Sequence, residues 1–153
     1  MDATKPSDQA LVSELAAYIR EVRAFANALA AGSGFGATEL TVALGATSLS
    51  IGSELLDTGF ETIIVTGGGA ATLVTILGGT AGQIKLFIFQ DALVKLTDGN
   101  VKGATGKFYL NQLPAGGDFE PQQDDILCMV NVGGDGSADH GYWKEMYRNL
   151  SLK

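Results

Sequence analysis

The only histidine of the chain, His140, directly follows an acid, Asp139. An imidazole oriented by a carboxylate is the base of a hydrolytic triad. Such a triad also needs a serine presented on a strained strand-to-helix elbow, and no G-x-S-x-G stretch occurs. The pair therefore reads as loop decoration. Asp124-Asp125 offers two carboxylates of the kind that work as acid and base on a glycosidic bond. Their place just ahead of an apolar run makes the end of a turn the simpler role.

Gly133-Gly134-Asp135-Gly136-Ser137-Ala138-Asp139 approaches a calcium-binding nonapeptide, but the second aspartate falls one place late and no tandem copy exists. One such loop cannot complete a calcium cage; oxygens from a second segment, for instance across a subunit interface, would be required. Gly67-Gly68-Gly69 and Gly78-Gly79-Thr80-Ala81-Gly82 invite a phosphate-loop reading. They lack the Gly-Lys-Ser/Thr ending and a following helix to lend its N-terminus, and read as hairpin turns. The single cysteine, Cys128, stands in an apolar run with no histidine or second cysteine nearby, which suits a small buried hydrophobe better than a reactive thiol. Tyr142, Trp143 and Tyr147 are ordinary sheet formers, with an exposed carbohydrate platform as the sharper alternative. No catalytic set, cofactor site or metal site is expected from these residues.

The elements that would carry them follow two periodicities. From Ser7 to Ala31 the residues Leu11, Leu15, Tyr18, Val22, Phe25 and Leu29 recur at alternating spacings of four and three, the a/d spacing of a coiled coil. Ser7 can cap the helix and Asp8 puts negative charge in its first turn. Val12, Ile19 and Ala26 widen the stripe beyond what a two-stranded coil uses, favouring three helices or docking onto a protein surface. At about 1.5 Å per residue this helix would run roughly 37 Å, long for one face of a small β domain. Gly32-Ser33-Gly34-Phe35-Gly36 then forms a joint. From Ala37 onward alternation takes over, with strands expected at 40–44, 49–51, 60–66, 71–77, 84–89, 92–97, 107–111, 126–132 and 142–152. Glycine-rich turns about every ten residues suggest an antiparallel β-sandwich or barrel; the irregular spacing of the glycine clusters speaks against a solenoid. Leu86-Phe87-Ile88-Phe89 is apolar on both faces, implying cover on both sides, one of them supplied by another subunit. The expected organisation is an arm, helix and joint over 1–36 and a mainly β domain over 37–153.

Composition narrows the partners. The 153 residues suit one domain with an appendage, and 10 Lys and Arg against 17 Asp and Glu give a net charge of −7. That balance argues against a nucleic-acid surface, which needs clustered cations. Hydrophobic residues make up 46% and charged residues 18%, yet the longest apolar stretches fall far short of a membrane span. The start, Met1-Asp2-Ala3-Thr4-Lys5-Pro6, shows no basic region or apolar core of a secretory signal, so synthesis in a cytoplasm is expected.

Thr4-Lys5-Pro6, Leu11-Val12-Ser13-Glu14-Leu15 and Tyr18-Ile19-Arg20-Glu21-Val22-Arg23 are similar to the start of small virion proteins of tailed bacteriophages. Gly78-Gly79-Thr80-Ala81-Gly82-Gln83, Leu96-Thr97-Asp98-Gly99, Asp124-Asp125-Ile126-Leu127 and Tyr142-Trp143-Lys144-Glu145 with Arg148 resemble their β head. The resemblance covers most of the chain and implies a head-decoration (cement) protein, commonly a homotrimer on the major capsid protein at the capsid exterior. Related heads in fibres imply the alternative, a fibre or spike head that binds a receptor or glycan. It carries no catalytic residues, so an enzyme is not expected. Leu11, Leu15, Tyr18, Val22, Phe25 and Leu29 are the expected oligomer or capsid contacts.

Overall fold

The computed structural model describes residues 37–100, 102–111 and 117–150. The chain divides after Gly36 into the units Met1–Gly36 and Ala37–Lys153, and the described residues all belong to the second. The helix expected over 7–31 and all six of its seam residues, Leu11 to Leu29, lie outside the described residues.

The second unit is mainly β, with eleven strands among the described residues: β1 Ala37–Val42, β2 Ser48–Ser50, β3 Phe60–Gly67, β4 Ala71–Leu73, β5 Thr75–Leu77, β6 Ile84–Phe89, β7 Val94–Thr97, β8 Phe108–Tyr109, β9 Asp118–Phe119, β10 Ile126–Val132 and β11 Tyr142–Asn149. They form a six-stranded sheet in the order β1-β3-β6-β10-β11-β8, a three-stranded sheet β4-β7-β9 and the pair β2-β5.

The expected antiparallel pairing holds only in part. β6, β10 and β11 run antiparallel, as do β7 and β9. β1, β3 and β6 are parallel, and so are β2 with β5 and β4 with β7. On the large sheet Ala37 pairs with Thr62 and Phe60 with Ile84. On the other two walls Ser48 meets Thr75 and Ala71 meets Val94. The first part of the unit is thus a short parallel coil whose turns stack through three walls. Parallel neighbours need a crossover of a dozen or more residues, and here short strands make the crossover in place of a helix. The length of chain between partners changes from wall to wall, longest from Ser48 to Thr75 and shortest from Ala71 to Val94, which is why the glycine clusters keep no fixed sequence interval. The discount of a solenoid on that ground is corrected.

Gly67-Gly68-Gly69 and Gly78-Gly79 are corners between strands that pair with other coils, and not the hairpin turns expected of them. Some corners bring backbones into direct contact. At Gly134 an added Cβ would fall well inside contact distance of the Gly79 carbonyl. At Gly106, with φ of 70°, it would meet the carbonyl of Ile76. Only glycine fits such approaches.

The core lies between the walls. Val42, Ile63, Phe87, Phe89, Leu127 and Trp143 face inward from the large sheet and meet Leu49 and Ile76 of the small pair and Val94 and Leu96 of the third sheet. Two ion pairs are built into the inner face. Lys85 Nζ lies 2.7 Å from Glu61 Oε2, with side-chain exposures of 0% and 1%. The Lys85 ammonium also donates to the Leu56 carbonyl at 2.5 Å, and the Leu56 N–H donates to the Glu61 carboxylate. The pair therefore closes the segment between β2 and β3 over the sheet. On β11 a bulge opposite Cys128/Met129 resets the alternation, so Glu145 and Arg148, three residues apart, share the inner side. Arg148 donates from Nε and Nη2 to Glu145, both at 2.6 Å, and stacks over the Phe119 ring at 4.7 Å.

Candidate functional site

The residues whose chemistry stood out in the sequence are spread over separate loops and strands, each with a local structural job. His140 Nδ1 accepts the N–H of Gly78 at 2.9 Å, so the ring holds a coil corner. The His140 carbonyl accepts Asn131 Nδ2 at 2.9 Å, and Asn131 Oδ1 accepts the Gly134 N–H at 3.0 Å. Asp139, its sequence neighbour, uses Oδ1 to accept the Gly141 N–H at 2.8 Å. The acid and the imidazole thus brace the loop through different atoms.

Asp135 is similarly occupied. Its Oδ1 accepts the Ser137 N–H and hydroxyl, both at 2.9 Å, and the Asp139 N–H at 3.2 Å. These bonds, those from Ser137 first, hold the carboxyl below the usual aspartate range. The carboxylate closes its own turn, and no group of three or more His, Cys, Asp or Glu side chains poised for a metal occurs among the described residues. Of the paired carboxylates, Asp125 is buried and accepts the Gln122 N–H at 2.8 Å, whereas Asp124 is exposed with φ of 70°.

The aromatic residues divide as well. Trp143 is fully buried and donates from Nε1 to the Ile76 carbonyl at 3.1 Å, which removes it from any exposed platform. Tyr142 is half-buried and meets Tyr109 edge-on at 6.2 Å between ring centres, with Lys102 Nζ 5.4 Å from the Tyr109 ring. Beside Tyr142 a shallow cavity of about 200 Å³ is lined by Gly103, Ala104, Asp139 and Gly141. Tyr147 is exposed.

The most extensive feature is the outer face of the six-stranded sheet. Cross-strand register puts Leu86 beside Cys128 and Cys128 beside Tyr147. Ile84 pairs with Val130, and Ile64 with Ile88 and Ile88 with Ile126. All of these except Tyr147 are half-buried, and no charged side chain interrupts them on β3, β6 or β10. Charges stand on the flanking strands, Glu39 on the edge strand β1 and Lys144 on β11, where it pairs with Tyr109 of the edge strand β8; both are exposed. The inner half of the expectation for Leu86-Phe87-Ile88-Phe89 is met: Phe87 and Phe89 are buried at 2% and 1%. Leu86 and Ile88, on the other side, are half-buried. Cys128, expected to be buried, sits half-exposed on this face, where partial burial pushes its thiol up from the usual range. The apolar run of β10 could have signalled this face, but alternation alone does not say which side the chain itself covers.

The chain was compared with family models, with curated proteins and with solved structures, and none of them matches it.

Proposed function

We propose that this chain is a structural component of a phage particle, a decoration protein that binds the outer shell as a homotrimer and stabilises it. The observation that carries the reading is the uncharged, largely aliphatic strip that β3, β6 and β10 present on the outer face of the six-stranded sheet, beside a loop braced by His140, Asp135 and Asp139. Such a molecule is built to add contacts and to stay rigid. The similarity of the sequence segments described above to phage virion proteins supplies the place where those contacts act. A trimer that meets three equivalent shell sites gains from effective concentration, so avidity exceeds one-site affinity by about 10² to 10⁴ where the geometry allows simultaneous contact. Three-fold positions on an expanded shell present the same patch to each subunit. No catalytic step is part of this role.

A second reading has one observation in its favour. The half-buried Tyr142, its partner Tyr109 and the shallow cavity edged by Asp139 form an aromatic surface beside a carboxylate, which suits a sugar face with hydroxyl donors. In that case the β unit is a fibre or spike head that binds a glycan.

Electron cryo-microscopy of particles made from the genome that encodes this chain separates the two. Three-fold density on the shell exterior, with deletion particles that assemble but release DNA at lower temperature, is expected. Density at the tail tip alone transfers the protein to the fibre-head reading, and its absence from purified particles overturns both.

A further inference from the structure

We infer that the outer side of the β8–β11 pair is a binding site for an acidic oligosaccharide, a chain of sugar rings that carries spaced carboxylates. The inference rests on the second reading above, that this surface takes a sugar, and names the class of sugar; it does not depend on where the protein sits in a particle.

The placing of cations is the first observation. Of the Lys and Arg side chains among the described residues, Lys85, Lys95 and Arg148 are spent on the carboxylates of Glu61, Glu120 and Glu145. The others, Lys102, Lys107 and Lys144, have no carboxylate partner among the described residues, and all of them stand around Tyr109. Lys102 Nζ lies 5.4 Å from the centre of its ring. Lys144 is level with Tyr109 across the β8–β11 ladder. Lys107, two residues before Tyr109 and on the same side of the chain, is held beside β11 by the bond from the Trp143 N–H to its carbonyl at 2.8 Å. In a chain of net charge −7, cations left together without partners make a local positive patch that a ligand anion neutralises.

The second observation is what adjoins the patch. Tyr142 opens β11 and meets Tyr109 edge-on, with ring planes at 72°. The cavity of about 200 Å³ beside Tyr142 is lined by Gly103, Ala104, Gly133, Asp139 and Gly141. A Cβ added at Gly103 or Gly133 would meet nothing, so bare backbone lies next to an aromatic side chain. Such a concavity suits a ring with apolar C–H faces and hydroxyls at its rim. Asp139 spends Oδ1 on the Gly141 N–H; Oδ2 has no hydrogen bond among the described residues and is left to accept a ligand hydroxyl. Its charge repels an anion, so the carboxylates of the ligand lie toward Lys102 and Lys144 and the hydroxyls toward Asp139. Nucleic acid fits less well. Rings at 72° are not parallel plates for successive bases, and a few lysines on a chain of net charge −7 do not match a phosphate on every nucleotide. Sparse charge on a hydroxyl-rich chain does match.

Titration calorimetry of the full-length protein, at low and at physiological salt, tests this with short oligogalacturonate and hyaluronate fragments as probes. The methyl ester of the oligogalacturonate, which keeps the rings and removes the charges, and single-stranded oligothymidylate serve as comparisons. The expected result is saturable binding of an acidic probe that weakens as salt rises, with the ester bound at least about tenfold more weakly than the free acid. Lys102→Gln and Lys144→Gln, both at exposed positions, should each weaken binding about threefold and together about tenfold. Lys95→Gln, on the third sheet, should leave it unchanged. Gly103→Leu fills the cavity without touching a charge and should weaken acid and ester alike, by about tenfold or more. Circular dichroism and the fluorescence of the buried Trp143 establish that each variant is folded. Binding that the paired lysine variant leaves unchanged overturns the inference. So does oligothymidylate bound more tightly than either acidic probe and lost in the lysine variants, which would make the patch a nucleic-acid site. Ester bound as tightly as the free acid, and lost in Gly103→Leu, removes the acidic class and keeps the glycan reading. No saturable binding of any of the sugars removes both.

Discussion

Replacing Lys85 by methionine removes the ammonium from the inner face of β6 while keeping most of the side-chain volume. The structure sets the consequence. The Glu61 carboxylate, 1% exposed, loses its 2.7 Å partner, and the Leu56 carbonyl loses its donor at 2.5 Å. Breaking one side of a buried pair costs about 3–5 kcal/mol because the remaining charge stays desolvated. The β unit lies between the size classes for which 1 kcal/mol moves the midpoint by about 2–4 and 4–8 °C, so Lys85→Met should melt roughly 10–20 °C lower. Glu61→Leu strands the ammonium and should cost a similar amount. In the double variant both charges are gone and only the Leu56 N–H and C=O are left unpaired, at about 1–3 kcal/mol each if they stay dry. The double variant should therefore be more stable than the sum of the singles by about 2 kcal/mol or more. Trp143 is the only tryptophan of the chain and is fully buried, so guanidinium titrations followed by its fluorescence and by circular dichroism read the same unit. A Lys85→Met variant within about 1 kcal/mol of the parent, or singles that simply add, would refute the claim that this pair clamps the segment ahead of β3.

Gly106→Ala meets both a φ of 70° and the Ile76 carbonyl; it should unfold the coil corner and lower the melting midpoint strongly, and a neutral result would show that the corner relaxes without cost. Asp135 has a lowered folded-state pKa, so its contribution to the 133–141 loop is present above the ordinary aspartate value of about 3.9 and is lost as pH falls through the lower folded value. Amide chemical shifts of Ser137 and Asp139 followed against pH should move together only in that acid window, and movement at higher pH would contradict the assignment. Arg148→Lys keeps the charge but loses the two-pronged bond to Glu145 and the stacking on Phe119; it should destabilise by about 1–2 kcal/mol in the same denaturant titration, and equality with the parent would leave the fork without energetic weight.

The sequence by itself determined where β10 lies, because Ile126 to Val132 is bounded by a turn at Asp124-Asp125 and by Gly133-Gly134. It determined most of β3, which alternates between Gly59 and Gly67, and of β6, a short apolar run after Gly82, because these are local properties. It also marked both sides of Leu86-Phe87-Ile88-Phe89 as apolar, which is the trace of the outer face. A period of two says nothing about the partner strand, however, and the pairing of Ala37 with Thr62 or Ser48 with Thr75 depends on the path of all the chain that lies between them. Hence the parallel coil was hidden behind turn signals that hairpins share, and the very short β9, Asp118–Phe119, had too little pattern to register. Lys85 reads as a surface residue until Glu61 is brought beside it from the preceding coil. Arg148 and Glu145 fall on one side only because a bulge slips the register between them. Tertiary structure decided these points because burial and charge pairing are set by distant neighbours: it turned His140 and Asp135 from candidate chemistry into loop braces, put Trp143 in the core, and left one aliphatic sheet face half-exposed.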